Sequence, residues 1–313
     1  MSEILLQSIQ GVLVIIIMVA VGYYLASRHW FNEDSKKLLA KLVTQVALPP
    51  YMITSITKDF TKAELFKLLP NLWYPVLSMF ILMGLAWLIV RLIHVDPRHQ
   101  GLFTSMFFNS NTVFVGLPIN LAIFGERSLP YVLVYYMANT TIFWTLGVYF
   151  IQRDQQRQTK ISLKSTLQKI FSAPLLGFMI GIVLIVLNIH LPSFLSSSFT
   201  YLGGLTIPLS MLFIGVSVYD AGLRNMRFQK DNVGVLLGRF VFAPSLMALL
   251  VMPSSMPLIM KQVFILQSCM PVMTNAPVVA KLYDADADFA SIMVTESTLL
   301  SLIMVPVMMG IMV

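Results

Sequence analysis

Two runs of polar residues and prolines lie inside long apolar stretches of this 313-residue chain, and their residue types are suited to ligand binding. The first run consists of Asn109, Ser110, Asn111 and Thr112, followed by Gly116 and Pro118. The second run contains Pro271, Thr274, Asn275, Ala276 and Pro277. The amide and hydroxyl groups in these runs can donate hydrogen bonds to an anion without carrying a charge themselves.

The prolines decide how such runs are interpreted. A proline in a membrane helix frees backbone groups, which then need side chains, water or a substrate as partners. If both helices break at their prolines and cross, the N-termini of the half-helices point partial positive charge into one cavity, which suits an anion. The alternative is a pair of ordinary proline kinks that neighbouring helices satisfy.

The composition places both runs in a membrane. Hydrophobic residues make up 57% of the chain and charged residues 11%, whereas about a quarter of the residues are charged in soluble domains. The formal net charge is +7, but the basic residues lie in short segments between apolar stretches, as membrane topology predicts. Nucleic-acid binding is therefore not expected.

Ten apolar stretches are long enough to cross a bilayer, which takes about 20 residues. They cover approximately residues 4–25, 37–57, 67–93, 101–124, 129–151, 172–189, 196–219, 233–252, 258–283 and 287–312. We interpret the first as a retained span rather than a signal peptide, because no basic segment precedes it. An all-α polytopic membrane protein with ten transmembrane helices is predicted.

The basic residues predict the orientation in the membrane. Of the 21 Lys and Arg residues, 16 lie in or beside the loops after odd-numbered spans. The exceptions are Lys58, Lys62, Lys67, Arg127 and Lys261. By the positive-inside rule, the basic loops face the cytoplasm and both termini lie outside.

An internal repeat is indicated by the two halves of the chain. The polar connector 152–169 separates a five-span segment, 1–151, from a second one, 170–313. A shift of 159 residues places Leu48-Pro49 on Ile207-Pro208 and Leu117-Pro118 on Ala276-Pro277. Because each repeat has an odd number of spans, the second enters the membrane inverted, as in secondary transporters. The matched positions of the two polar runs favour the binding site over simple kinks.

Two charged side chains lie at least six residues from either end of a predicted span. Glu296 is about ten residues into span ten, where a charged carboxylate is costly. It is either a proton-linked switch or a structural group bonded to Thr295, Ser297 or a partner in span five. Arg239, about two turns into span eight, could snorkel to the interface, pair with a carboxylate or contact substrate. Both are candidates for proton or charge coupling.

No pattern indicates an enzyme, a metal site or a cofactor. Cys269 is the single cysteine, so neither a disulfide nor a cysteine-based metal site is expected. The four histidines lie at span ends or in loops without paired spacing. We find no nucleophile–base arrangement, no paired catalytic carboxylates and no phosphate-binding glycine loop.

Several motifs resemble the auxin efflux carrier family, which includes the plant PIN-formed proteins and bacterial malate and malonate permeases. The resemblance extends over essentially the whole chain, and its motifs are the run 111–118, the run 276–281, and Gly238-Arg239-Phe240 with Pro244. In span five, residues 138–146 resemble the plant segment whose glutamine contacts the substrate carboxylate. Asn139 matches this glutamine and Thr140 follows it.

The resemblance implies a bile-acid-transporter-like fold with crossing helices four and nine. It implies a scaffold from helices 1, 2, 6 and 7, a transport domain from helices 3–5 and 8–10, and a homodimer. Pro118 and Pro277 match the crossover prolines. The short connector and the bulky Tyr135-Tyr136 pair are more typical of a bacterial carrier of small organic acids than of an auxin carrier.

The favoured function is transport of small organic carboxylates, malate or a similar dicarboxylate, across the bacterial cytoplasmic membrane by an elevator-type movement. The substrate-binding candidates are Asn109, Ser110, Asn111, Thr112, Asn139, Thr140, Asn275 and Ala276; the crossover candidates are Gly116, Pro118, Pro271 and Pro277. One alternative is a sodium-coupled symporter in which Glu296, Asn139 and Thr140 begin a sodium site. Another is a sensor that binds an acid and signals through the 152–169 connector.

Overall fold

The computed structural model describes residues 2–59, 61–154, 171, 173–221 and 229–312. All regular elements in these residues are helices, and none of them forms a strand. The predicted all-α class is thereby confirmed. The predicted connector 152–169 lies outside the described residues, apart from 152–154.

The helices follow one another with short connections. The α-helices are Ser2–Ser27, Glu33–Lys41, Leu48–Asp59, Lys62–Leu68, Trp73–Leu92, Gln100–Phe108, Leu117–Phe124, Leu129–Ile142, Val148–Arg153, Ala173–Val186, Ser193–Gly204, Thr206–Ala221, Lys230–Leu237, Ala243–Val251, Leu258–Ser268, Ala276–Leu282 and Ala287–Met312. The π-helical turns are Leu42–Ala47, Thr112–Gly116, Phe143–Gly147 and Gly238–Phe242. Short 3₁₀ turns are Leu69–Leu72, Pro97–His99 and Glu126–Ser128.

Each of the ten predicted spans overlaps one or more of these helices. Among the described residues, five helical stretches are long and apolar enough to cross a membrane. They are Pro70–Leu92, Pro97–Phe124, Ser193–Asp220, Lys230–Val251 and Ala287–Met312, of which Pro97–Phe124 contains the non-helical residues 109–111. The chain is thus consistent with a polytopic membrane protein, and the number of crossings stays a prediction.

Prolines explain most of the π-helical turns. A proline has no N–H, and its ring crowds the carbonyl four residues earlier, so the preceding turn widens. Three of the described π-helical turns end two residues before a proline: Leu42–Ala47 before Pro49, Thr112–Gly116 before Pro118, and Gly238–Phe242 before Pro244. These prolines therefore lie within continuous helical paths.

Glycines allow the first helix to pack closely against a helix of the second half. Ser2–Ser27 packs along Thr206–Ala221. A Cβ atom on Gly22 would lie 2.5 Å from the Leu212 carbonyl oxygen, and one on Gly215 would lie 2.6 Å from the Tyr23 nitrogen and closer still to the Val19 carbonyl oxygen. Only glycine allows two backbones to approach this closely in a membrane helix pair.

The Gly215→Ala variant should therefore unfold at a lower temperature than the wild type, because the added methyl meets backbone atoms that cannot rotate away. Overpacking of this kind costs about 1–3 kcal/mol. The matched control is Gly84→Ala, where a Cβ meets nothing within 4 Å. Thermal unfolding in detergent measures both, and equal stability of the two variants would contradict this packing.

The largest buried apolar cluster occupies one part of the structure. Its fully buried members come from residues 79–151 and 235–293, with Phe103, Phe107, Tyr135 and Phe264 among the largest. None of its members comes from residues 2–59 or 173–221. The helices that carry both polar runs thus share this largest core. Two smaller buried clusters combine residues of 2–59 and 173–221 with residues of 115–136, 263–270 and 305–309.

Candidate functional site

The first polar run interrupts a helix, but not where the sequence predicted. Helix Gln100–Phe108 ends at Asn109, which is extended with φ −96° and ψ 141°, and the helical path resumes at Thr112. Pro118 stands in the first turn of Leu117–Phe124, inside the resumed path. The prediction of a break at Pro118 is therefore wrong, because a proline near the start of a helical segment is tolerated there. We call residues 109–111 the first break.

The second polar run also interrupts a helix. Leu258–Ser268 ends before residues 269–275, which are not helical, and the helical path resumes with Ala276–Leu282. Pro271 lies within this second break, as predicted, whereas Pro277 occupies the first turn of the following helix. We call residues 269–275 the second break.

The two breaks touch each other. The Asn111 backbone N–H donates to the Pro271 carbonyl oxygen at 2.8 Å. Beside this contact, Gln267 Nε2 donates to the Thr112 carbonyl oxygen at 3.4 Å. Gly116 faces the same side chain, and a Cβ there would collide with Gln267 Oε1. Gly116 thus permits the close approach of the two interrupted helices.

Arg239 links the two breaks by binding backbone carbonyls at or next to the C-terminal ends of the two half-helices that precede them. Its guanidinium is fully buried and donates from Nη1 to the Phe107 carbonyl at 3.1 Å, from Nε to the Met270 carbonyl at 3.0 Å, and from Nη2 to the Ser268 carbonyl. These carbonyls lie where two half-helices end, and such groups lack partners and carry partial negative charge. Full burial excludes snorkelling, and among the described residues Arg239 pairs with no carboxylate, so neither of these two expected alternatives is present there.

Asn139 holds the first break in place. Its Oδ1 accepts from the Ser110 backbone N–H at 2.9 Å, and its Nδ2 donates to the Ser110 carbonyl at 2.8 Å. The side chain is fully buried. Because both ends of the amide are used by the backbone of one residue, Ser110, Asn139 positions the break in this structure and does not line the cavity described below.

The Asn139→Leu variant should lose about 2–4 kcal/mol of stability, because it leaves the Ser110 N–H and carbonyl buried without partners. Asn120→Leu is a matched control in an equally buried position. Asn120 donates only to the Gly116 carbonyl within its own helix, and its Oδ1 has no partner. Thermal unfolding in detergent should show a large loss for the first variant and a small change for the second; the reverse order would contradict the role of Asn139.

Asp154 fixes the start of the first interrupted helix. Its carboxylate oxygens accept from the backbone N–H groups of Gly101 and Leu102, both at 2.7 Å. Burial raises the pKa of Asp154 to about 6, although both hydrogen bonds lower it. At neutral pH the carboxylate is thus mainly charged and complements the positive end of this helix.

A cavity of about 490 Å³ opens beside the two breaks. It is lined by Thr44, Gln45, Asn111, Thr112, Val113, Phe114, Tyr136, Thr140, Trp144, Phe171, Ala173, Pro174, Met273, Thr274 and Asn275. None of these side chains is charged. Asn111 Nδ2, Thr112 Oγ1 and Thr140 Oγ1 are buried with no hydrogen-bond partner in the structure. Three residues of the lining thus carry uncharged donors that lack partners among the described residues.

The structure brings together half of the predicted binding residues. Asn111, Thr112, Thr140 and Asn275 line the cavity, whereas Asn109, Ser110, Asn139 and Ala276 do not. The Asn111 side chain has two parts with different roles, because Oδ1 accepts from the Phe114 N–H at 3.2 Å while Nδ2 has no partner. Asn111 therefore caps a helix and presents a donor.

Sequence reasoning predicted Thr112 and Arg239 but missed the other site residues that lie on π-helical turns. Thr44 and Gln45, Thr112 to Phe114, and Trp144 line the cavity from three different π-helical turns, and Arg239 lies on a fourth. Such turns are rare, well under about 1% of residues, and are frequent at functional sites. Pro49, four residues after the polar pair Thr44-Gln45, was the available signal for Gln45.

Glu296 lies apart from the cavity lining. It is 1% exposed, and its Oε2 accepts from Asn232 Nδ2 at 2.9 Å. Its neighbour Ser297 accepts from the Val272 backbone N–H of the second break at 3.0 Å. In the described ranges, no three His, Cys, Asp or Glu side chains are grouped as metal ligands would be.

Comparison with known proteins assigns this architecture to a family. A family model described as membrane transport protein matches residues 7–309. An uncharacterized transporter of Methanocaldococcus jannaschii is 25% identical over 299 residues, covering 94% of this chain and 95% of the relative. An uncharacterized transporter of Methanothermobacter thermautotrophicus is 26% identical over 307 residues, covering 96% of each. The chain therefore belongs to the membrane transport protein family, the auxin efflux carrier family whose motifs its sequence carries.

Proposed function

We propose that this protein carries small organic carboxylate anions across a membrane by alternating access, and that the cavity at the two breaks is the substrate site. The observation that carries the proposal is the chemistry of the cavity. Three residues that line the cavity, Asn111, Thr112 and Thr140, each carry a buried donor without a partner, and no side chain of the described lining is charged. An anion that is bound by uncharged donors can also be released, as transport requires.

The electrostatics around the breaks support an anion rather than a cation. The helical path that starts at Thr112 continues to Phe124, and its N-terminus lies at the cavity. The positive end of such a helix attracts a carboxylate. The negative C-terminal ends of the two preceding half-helices are compensated by Arg239. A ligand in the cavity is therefore attracted by the positive end of the helical path that starts at Thr112 and by the uncharged donors of the lining.

The proposed architecture of the protein has ten membrane crossings in two inverted five-helix repeats. Under the repeat relation, spans one and two correspond to spans six and seven. The packing of Ser2–Ser27 against Thr206–Ala221 then corresponds to the packing of Ala173–Val186 against Leu48–Asp59, and both contacts are extensive. The two breaks stand at corresponding positions and touch through Asn111 and Pro271.

The largest buried core supports a division of the chain into two proposed domains, which meet at the two smaller clusters. Helices of spans 3–5 and 8–10 share the largest cluster, to which residues 2–59 and 173–221 contribute no member. We assign the former to a transport domain that moves as an elevator and the latter to a scaffold that forms a homodimer. We also propose that the protein lies in a bacterial-type plasma membrane with its basic loops in the cytoplasm and both termini outside. The positive-inside bias supports this orientation.

Malate or a similar dicarboxylate is the first substrate candidate, on the basis of the family resemblance. The aromatic residues of the cavity lining favour a second substrate candidate, a monocarboxylate. Phe114, Tyr136, Trp144 and Phe171 face the same cavity, and a second carboxylate among them would have no cationic partner. A monocarboxylate with an apolar body fits these residues better.

Two other proposals differ in what drives or accompanies binding. In a sodium symporter, Glu296, Asn139 and Thr140 would begin the cation site, but the Asn139 amide is paired with Ser110 and a Glu296 oxygen with Asn232. Proton coupling through Glu296 is supported by its position beside Ser297, which contacts the second break. A sensor would bind the acid without moving it.

Solid-supported-membrane electrophysiology on the purified protein in liposomes tests the proposal. We expect a saturable current on pulses of malate, malonate, lactate or indole-acetate that is the same with and without sodium. A current that requires sodium would replace this proposal by the symporter. A change of tryptophan fluorescence on adding acid that is lost in Trp144→Phe, with no flux of any acid in the panel, would replace it by the sensor.

A further inference from the structure

We propose that Gln45 contacts the substrate in only one of the two transport states, so that it sets affinity on one face of the membrane. This inference rests on the proposed function. Gln45 lies in the π-helical turn Leu42–Ala47, lines the cavity and has an exposed side chain. Its amide offers both a donor and an acceptor to a ligand.

The local backbone explains why this turn is polar. Pro49 and Pro50 have no N–H, so the carbonyls of Gln45 and Val46 lack the donors that an α-helix would give them. The Leu48 N–H reaches back to the Val43 carbonyl instead. The Gln45 amide therefore lies beside two backbone carbonyls that have lost their α-helical donors.

Gln45 is the main side-chain donor on its side of the cavity. The neighbouring lining residues Phe171, Ala173 and Pro174 have no side-chain donor. The Thr44 hydroxyl is engaged, since it donates to the Ala40 carbonyl at 2.8 Å. A polar group of the substrate that points away from Asn111 and Thr112 would thus find its hydrogen bond at Gln45.

The packing of this turn attaches Gln45 to the scaffold. Leu42–Ala47 packs against Ala173–Val186, Ser193–Gly204 and Thr206–Ala221. Asn111, Thr112 and Asn275 lie instead on the interrupted helices of the proposed transport domain. When that domain moves, a substrate held by Asn111 travels with it and leaves Gln45 behind. A ligand contact made in one state only changes affinity in that state only.

The one-sided effect can be measured with membrane vesicles of both orientations and labelled malate. The cavity is bordered by Phe171 and Ala173, just after the connector predicted to be cytoplasmic, so inside-out vesicles present this state to the medium. Gln45→Leu should raise KM about fivefold in inside-out vesicles, the effect of one lost hydrogen bond. In right-side-out vesicles the change should stay below about twofold.

Two further variants sharpen the comparison. Gln45→Glu should raise KM still more in inside-out vesicles, because it places a negative charge beside an anion. Asn111→Ala is the matched control and should raise KM in both orientations, since Asn111 moves with the substrate. A merely structural defect at Gln45 would lower the maximal rate in both orientations and leave both KM values as they are.

The outcomes separate this inference from the proposed function. KM values that change equally in the two orientations, or in neither, would overturn the role of Gln45 while wild-type transport continues. If wild-type vesicles of both orientations transport neither malate, lactate nor indole-acetate, the proposed function fails and this inference fails with it.

Discussion

Replacement of Arg239 by methionine is expected to lower the melting temperature in detergent by on the order of 10 °C and to abolish transport. The guanidinium donates to the carbonyls of Phe107, Ser268 and Met270, which end two half-helices in the buried interior. Each hydrogen bond from a charged group contributes about 1.5–3 kcal/mol. Methionine fills similar space but leaves all three carbonyls without these donors.

The Arg239→Lys variant is the control that separates charge from geometry. Lysine keeps the positive charge near the helix ends but lacks the planar fork that reaches several acceptors. We expect an intermediate melting temperature and weak residual transport. If Arg239→Met were as stable as the wild type, Arg239 would not be the residue that joins the two breaks.

The Asn111→Asp variant is expected to fold normally and to lose at least about 100-fold in anion transport, or about 2.7 kcal/mol. Aspartate caps a helix as well as asparagine does, so the contact to the Phe114 N–H survives. The group that changes is Nδ2, the buried donor at the cavity. An oxygen with negative charge in its place repels the carboxylate.

Asn111→Ala provides the comparison for this variant. It removes the donor without adding a charge, so transport should weaken by at least about tenfold, which corresponds to about 1.4 kcal/mol. Uptake of a labelled acid at matched expression, with thermal unfolding on the same preparations, measures both effects. Unchanged uptake by either stable variant would remove Asn111 from the substrate site.

The sequence located the two interruptions, because polar residues stand out in an apolar chain. It could not place the first break, since residues 109–111 contain no proline while Pro118 does not break its helix. A proline within a helix can end it, kink it or widen the turn before it, and only the partners of the freed carbonyls decide which occurs.

The partners of the buried polar side chains were beyond sequence reasoning. Arg239 contacts carbonyls up to 132 residues away in the chain, and a carbonyl leaves no mark on the sequence. Family resemblance pointed to Asn139 as a substrate contact, whereas its amide pairs with Ser110 in this structure. No sequence motif marks Gln45 as a site residue, because its exposure to the cavity follows from how Leu42–Ala47 packs on the proposed scaffold helices.

Counterflow exchange in proteoliposomes tests the central claim most directly, because it detects carriage of an acid whatever ion drives it. Liposomes loaded with unlabelled malate, lactate or indole-acetate are placed in the same labelled acid at low concentration. The account predicts transient accumulation of label for at least one acid with the wild type, and none with the Asn111→Asp variant. Equal accumulation by both proteins, or none by the wild type with any of these acids, would contradict it.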